Sequence, residues 1–250
     1  MTTTLNDNLR QLRLPTMARR WNDLHERALS DNWSMPDWLE ALCSEELAHR
    51  DNQRLARYLK EAKLPSGKTL EHFKFDVSQV KRERIVHLAQ TSEWIKKSEN
   101  LLLFGPSGVG KTHLAAAIGY GMVQQGQRVL FSAATHLVQQ LQAAKQDLQL
   151  PQALSKLDKY ALLIVDDIGY VRPTAKESSV LFELIAHRYE SNSLLITSNQ
   201  PFSAWDSLFG DSAMAVAAVD RLVHHAHIVD IQGESYRKST LLNREETATA

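Results

Sequence analysis

The sequence predicts an α/β fold, a parallel sheet covered by helices, with a small all-helical domain in front of it. Three observations predict it. From residue 100 onward, short apolar runs alternate with stretches of helical periodicity, the pattern of strands joined by crossover helices. Residues 1–64 carry apolar residues at spacings of three and four, with no alternating run. The first apolar run of the second part leads directly into a glycine-rich turn that opens a helix.

Taken in order, Leu9 and Leu12, then Met17, Trp21, Leu24 and Ala28, then Leu39 and Leu42, and finally Leu55, Tyr58 and Leu59 mark about three helices. Breaks fall at Pro15 and between Ser30 and Pro36, where Ser34 is placed to cap a helix with Pro36 in its first turn. Trp33 and Trp38 sit among apolar residues at helical spacing and read as inter-helix packing rather than as base-stacking platforms. Residues 65–99 form a linker and a leading helix, beginning at LPSGKTLEHFKFD. Gly67-Lys68-Thr69 looks like the tail of a phosphate loop, but it lacks the first glycine and a preceding strand, so it is set aside as a site.

Residues 100–250 supply the α/β domain. Its strands are expected at 101–104, 128–132, 161–166, 194–198 and 227–230, with helices starting near Gly110, Ala133, Thr174 and Ala213. The Gln-rich stretch 139–152 still carries Leu137, Leu141 and Leu148 at helical spacing, and the tail 245–250 is expected to fray.

The chain has 29 Lys and Arg against 29 Asp and Glu, so it is not coated in one sign of charge. Local clusters still stand out. Arg10, Arg13, Arg19 and Arg20 precede most of the acids of the first domain, and Lys81, Arg82 and Arg84 form a second group; each reads either as a phosphate-backbone contact or as a solvated helix face. Cys43 is the single cysteine, which excludes an internal disulfide framework and a zinc site built from several cysteines. His224, His225 and His227 cluster without a cysteine nearby and read as surface residues. No run approaches the ~18 apolar residues of a membrane span. The N-terminus lacks the pattern of a secretory signal, so no membrane association and a cytoplasmic location are expected.

The chemistry is concentrated in three strand ends. Gly105-Pro106-Ser107-Gly108-Val109-Gly110-Lys111-Thr112, with His113 directly after, fits G-x-x-x-x-G-K-[ST] between a strand and a helix. Glycines let successive N–H groups face one phosphate at a helix N-terminus, Lys111 reaches the β and γ phosphates of ATP, and the Thr112 hydroxyl serves Mg²⁺. The run Ala161 to Val165 ends in Asp166 and Asp167, which read as an Mg²⁺ ligand and as the base that polarises water; alone, they would read as a helix cap. Asn199 ends the next strand, where an amide aligns water or the γ phosphate; outside this series it would be a turn residue. Arg188 and Arg221 follow helical segments. Each reads as a trans-acting arginine or as half of a surface ion pair, with Glu190 and Asp220 respectively.

These residues resemble a known family. GPSGVGKTHLAAAIG, LLIVDDIGY, HRYE, LLITSNQPF, FGD followed by DRL, and GESYR at 233–237 are similar to the IstB-like transposition helper ATPases, relatives of the helicase loader DnaC and the initiator DnaA in the AAA+ class. The resemblance spans nearly the whole chain. It implies an AAA+ fold with strand order 5-1-4-3-2 and a lid domain reduced or absent, ATP-dependent self-assembly on duplex DNA, and delivery of a partner transposase. It assigns residues 105–112 to Walker A, Asp166 and Asp167 to Walker B, Asn199 to sensor 1 and Arg221 to the arginine finger. It also makes Lys145, in a helical insertion from Ala133 to about Leu157, a DNA contact and Arg237 a second sensor. A glutamate is more usual than aspartate at position 167. The readings that compete with this one are a DnaC-like loader acting on single strands, a small-molecule kinase, and an assembly protein that binds ATP without using its hydrolysis.

Overall fold

The computed structural model describes residues 2–78, 80–169, 174–205, 209, 212–233 and 235–236. The chain forms two compact units, Met1–Arg57 and Tyr58–Ala250.

The first unit holds α1 (Thr2–Gln11), α2 (Pro15–Ser30) and most of α3 (Met35–Ala62). Pro15 opens α2, where its missing N–H costs nothing. The next two N–H groups, of Thr16 and Met17, donate to one carboxylate oxygen of Glu46 on α3, at 2.8 and 3.1 Å. A side chain 30 residues away thus satisfies donors that every helix start leaves orphaned. Ser34 caps α3 as expected, exchanging hydrogen bonds with Asp37.

The second unit continues through a 3₁₀ turn (Leu70–His72) to α4 (Phe75–Ser78), α5 (Arg82–Gln90) and α6 (Glu93–Lys96), and then enters the sheet. The sheet comprises β1 (Asn100–Phe104), β2 (Val129–Ala133), β3 (Leu162–Ile168), β4 (Ser193–Ser198) and β5 (Ala226–Asp230), all parallel in the order β2-β3-β4-β1-β5. This is the expected order read from the opposite edge. Between strands lie α7 (Lys111–Gln124), α8 (Ala134–Gln146), α9 (Leu150–Leu157), α10 (Ala175–Arg188) and α11 (Ser212–Val223).

Strand side chains alternate between two cores. Leu101, Leu103, Leu162, Ile164 and Leu195 face the side packed by α5, α6 and α7. Leu102, Leu163, Val165, Leu194 and Ile196 face the side packed by α8 to α11. Burial on both faces explains why these strands read as unbroken apolar runs. At the helix ends the sequence pattern was less reliable. Leu148 does not continue the stripe of Leu137 and Leu141: it lies in the turn after α8 with φ 57° and is 85% exposed.

Arg188, read from sequence as a surface or trans-acting residue, is instead 1% exposed. Its guanidinium donates to the carbonyls of Leu157 (3.2 Å), Tyr160 (2.9 Å) and Ser193 (2.9 Å), tying the end of α9 to the starts of β3 and β4. Burial pushes its pKa down to about 10, which leaves it charged at neutral pH. Nothing in the local pattern marks this burial, because a lone Arg at a helix end usually lies on the surface.

Candidate nucleotide-binding site

The loop 105–110 links β1 to α7 at the carboxyl edge of the sheet, where open α/β sheets bind ligands. Gly110 precedes α7 with φ 98°, so the first N–H groups of a long helix face the loop. A Cβ at Gly110 would strike the Phe73 ring, and one at Gly108 (φ 86°) would strike Ser235. The loop is therefore gripped by the linker on one side and by the segment after β5 on the other, where Tyr236 N–H donates to Gly108 O at 3.1 Å. Lys111 is 7% exposed, and its ammonium donates to the carbonyls of Gly105 and Pro106, both at 2.8 Å.

The two carboxylates owe their placement to a β-bulge. Val165 pairs with Ile196 and Ile168 pairs with Ser198, so Asp166 and Asp167 on β3 together oppose Thr197 on β4. Asp167 takes the left-handed backbone this requires, with φ 65°. Thr197 serves both: its hydroxyl donates to Asp166 Oδ1 (2.8 Å) and accepts from Asp167 N–H (2.7 Å). Thr197 is fully buried. It is a site residue that sequence reading missed, since a threonine inside an apolar strand reads as a strand former.

Asp166 also hydrogen-bonds the Thr112 side chain at the start of α7. Burial pushes its pKa up, against the opposing pull of the Thr197 and Thr112 hydrogen bonds; the neighbouring Asp167 carboxylate adds to the rise and the Lys68 charge counters it. A buried carboxylate with a raised pKa beside a hydroxyl is an oxygen donor pair that a cation would stabilise. The pair fits Mg²⁺.

Asn199 completes the row. Phe104 pairs with Ser198, which places Asn199 beside Gly105, and its Oδ1 is buried with no hydrogen-bond partner among the described residues. A cavity of about 320 Å³ lies over the loop, lined by Ser107 to His113, by Asp167, by Lys68, His72, Phe73 and Lys74 of the linker, and by Tyr236. His113 meets the linker directly, as its Nε2 donates to the Thr69 carbonyl at 2.7 Å. Residues 67–69 form no phosphate loop, yet Lys68 reaches the phosphate-loop cavity through the fold.

The remaining predicted residues lie elsewhere. Arg221, on α11, is half-buried, donates to Ala217 O (2.8 Å) and lies 5.3 Å from the centre of the Phe182 ring. It borders a groove with Ser212, Val216 and Asp220 and does not line the nucleotide cavity. Arg237 lies outside the described residues. Lys145 pairs with Glu183 (2.6 Å) and Ser179 (2.9 Å). Arg20 pairs with Glu45 and Asp23, and Arg10 with Asp7, while Arg10 and Arg13 border a groove with His49 and Arg50. Arg19 donates to Pro15 O. Lys81, Arg82 and Arg84 are exposed at the start of α5. Of the histidines, His224 and His225 lie near Glu190, whereas His227 turns away to Glu99 (2.8 Å).

A glycine loop opening a helix, a bulged acidic pair and a polar strand tip on a 2-3-4-1-5 sheet define a P-loop nucleotide-binding protein. The chain belongs to the family of IstB-like ATP binding proteins, whose sequence model matches residues 7–244. An insertion sequence ATP-binding protein of Sinorhizobium fredii (strain NBRC 101917 / NGR234) is 50% identical over 235 residues, covering 94% of this chain and 79% of the relative. Among solved structures, the DnaC helicase loader aligns with TM-score 0.53 and 19% identity over 70% of this chain and 99% of its own. AMPPCP-bound DnaA from Aquifex aeolicus aligns with TM-score 0.55 and 21% identity over 74% of this chain and 56% of its own. These two likenesses establish the fold. Among the described residues no helix is long and apolar enough to cross a membrane.

Proposed function

We propose that this chain is a cytoplasmic, Mg²⁺-dependent ATPase that assembles with copies of itself on duplex DNA and helps a partner transposase use target DNA during movement of an insertion sequence. The observation that carries the ATPase part is the bulge at Asp166 and Asp167, which sets two carboxylates of different character beside the phosphate loop. The family and its insertion-sequence relatives support the DNA and transposase parts.

In this reading the N–H groups of 105–112 bind phosphate oxygens and Lys111 leaves its loop carbonyls for the β and γ phosphates. Thr112 and Asp166 would hold Mg²⁺, which supplies charge neutralisation of the phosphates when bound. Asp167, exposed to the cavity, accepts the proton of the attacking water, and the Asn199 amide orients that water in line with the leaving group. Arg221, which does not line its own nucleotide cavity, acts on the nucleotide of the next subunit. Lys81, Arg82, Arg84, Arg10 and Arg13 are the exposed cations that meet phosphate backbones, with little reading of base sequence.

The test is a titration of fluorescent duplex and single-stranded DNA at fixed salt, with Mg²⁺ and ATP or with no nucleotide. Cooperative, ATP-dependent binding to duplex that weakens steeply with salt is the expected outcome. Preference for single strands would replace the transposition reading by that of a helicase loader. ATP turnover that no DNA stimulates would return the small-molecule kinase to consideration. Arg221→Ala should bind ATP normally and lose turnover or assembly; normal DNA-stimulated turnover would remove the arginine-finger role.

A further inference from the structure

The nucleotide cavity carries more positive charge than its phosphate loop supplies. Lys68, His72 and Lys74 enter from the linker and face Lys111 and His113 of the loop, against the single carboxylate of Asp167. Two of the three lysines are already engaged: Lys111 with its loop carbonyls, and Lys74 with the Tyr236 ring, 5.2 Å from its centre. Lys68 is half-buried and makes no hydrogen bond or ion pair among the described residues. A half-buried lysine whose ammonium makes no hydrogen bond or ion pair among the described residues is free to meet an anion that enters the cavity.

The linker is fixed on the first turn of α7, which restricts where this cation points. His113 holds the Thr69 carbonyl, and the Phe73 ring closes on Gly110. Lys68 lines this cavity together with Lys111, Thr112 and Asp167. The metal and the terminal phosphate would lie beside these residues.

We infer that Lys68 is a second phosphate-contacting lysine of this site and acts at the terminal phosphate of a nucleoside triphosphate. The inference rests on the nucleotide-binding reading above and adds a residue outside its phosphate-loop motif. It also makes the linker sense the triphosphate: Lys68 ties the segment between α3 and α4 to the ligand only when the third phosphate is present.

Equilibrium binding of a non-hydrolysable ATP analogue, ADP and AMP, each with Mg²⁺, to the full chain tests it. Lys68→Met should weaken the triphosphate analogue about tenfold, as expected for loss of a hydrogen bond between charged groups. ADP should change by less than about threefold and AMP not at all, while Lys68→Arg should keep most of the triphosphate affinity. Lys68→Gln gives the same test should the methionine variant melt early. Unchanged triphosphate affinity, or an equal loss for all three nucleotides, overturns the inference. Lys111→Ala separates the two levels. If it still binds the triphosphate, the phosphate-loop reading itself fails; if it loses binding while Lys68→Met does not, only the role of Lys68 falls.

Discussion

The two edges of the sheet each bury a cation, and the difference between them shows how one fold separates scaffold from function. At the amino edge, Arg188 gathers carbonyls from α9, from the start of β3 and from the start of β4. At the carboxyl edge, Lys111 holds two carbonyls of its own loop, five and six residues away. Arg188 ties the end of α9 to two paired strands, so its bonds are part of the fold. The two carbonyls that Lys111 holds belong to its own loop, and a phosphate can take over those contacts without undoing the sheet. Burial alone does not distinguish the two; the reach of Arg188 to Leu157 and Tyr160, 31 and 28 residues away, does.

Substituting both cations puts this contrast at risk. Arg188→Ala leaves several carbonyls buried without donors and should cost roughly 3 kcal/mol, a fall of about 6 to 12 °C in melting temperature for a chain of this size. Nucleotide affinity, measured well below that temperature, should change little. Lys111→Ala should do the reverse, with melting in the absence of nucleotide shifted by less than about 1 kcal/mol and ATP binding lost. Equal melting losses in the two variants would break the distinction.

Thr197 sharpens it, because this residue belongs to both classes at once. Its hydroxyl is, among the described residues, the side-chain partner of the Asp167 N–H and one of two hydroxyls holding Asp166. Thr197→Val keeps the shape and removes the hydroxyl, which should cost about 2 kcal/mol of stability. It should also raise the already raised Asp166 pKa, because a hydrogen bond that favours the carboxylate is gone. Since a cation needs that carboxylate ionised, the acid limb of the pH profile of turnover should move to higher pH, and Thr197→Ser should restore it. A profile unmoved by the valine would show that the bulge only shapes the backbone.

Much of this molecule was legible because two periodicities and one spacing are hard to imitate. The helical stripe of the first domain, the apolar runs of β1, β3 and β4, and the GPSGVGKT turn each follow from local chemistry, and the strands formed with ends moved by one or two residues. What was hidden depends on chain positions far apart. The two acids read as metal ligand and base already in the sequence, but the bulge that sets both opposite Thr197 shows only in the register. Gly67-Lys68-Thr69 lacks the first glycine and the preceding strand of a phosphate loop and reads as no site, yet its lysine lines the cavity, next to Thr69 that His113 of α7 holds. Arg188 and Leu148 failed for opposite reasons: a charged residue was drawn inside by carbonyls that no periodicity shows, and an apolar one was left outside where the helix had already ended.

The smallest effect concerns a buried anion of the first unit, which extends the contrast to the opposite sign of charge. Glu46 is 2% exposed and accepts from Thr16 N–H, Met17 N–H and the Arg50 guanidinium. Burial alone would raise its pKa, but the Met17, Thr16 and Arg50 bonds outweigh it and the pKa is lowered. By the criterion that separates Arg188 from Lys111, partners far along the chain make Glu46 scaffold. A carboxyl with a lowered folded pKa stabilises fully above its unfolded value of about 4.3, and that stabilisation is lost as pH falls through the folded value. Glu46→Gln should therefore cost about 1 kcal/mol near pH 7, as loss of a helix cap does, and progressively less below about pH 4. Thermal melts of both proteins across that range, followed by helical signal, measure the gap directly. A gap that stays constant down to pH 3 would mean that Glu46 holds α2 by packing, and that its charge contributes nothing to the cap.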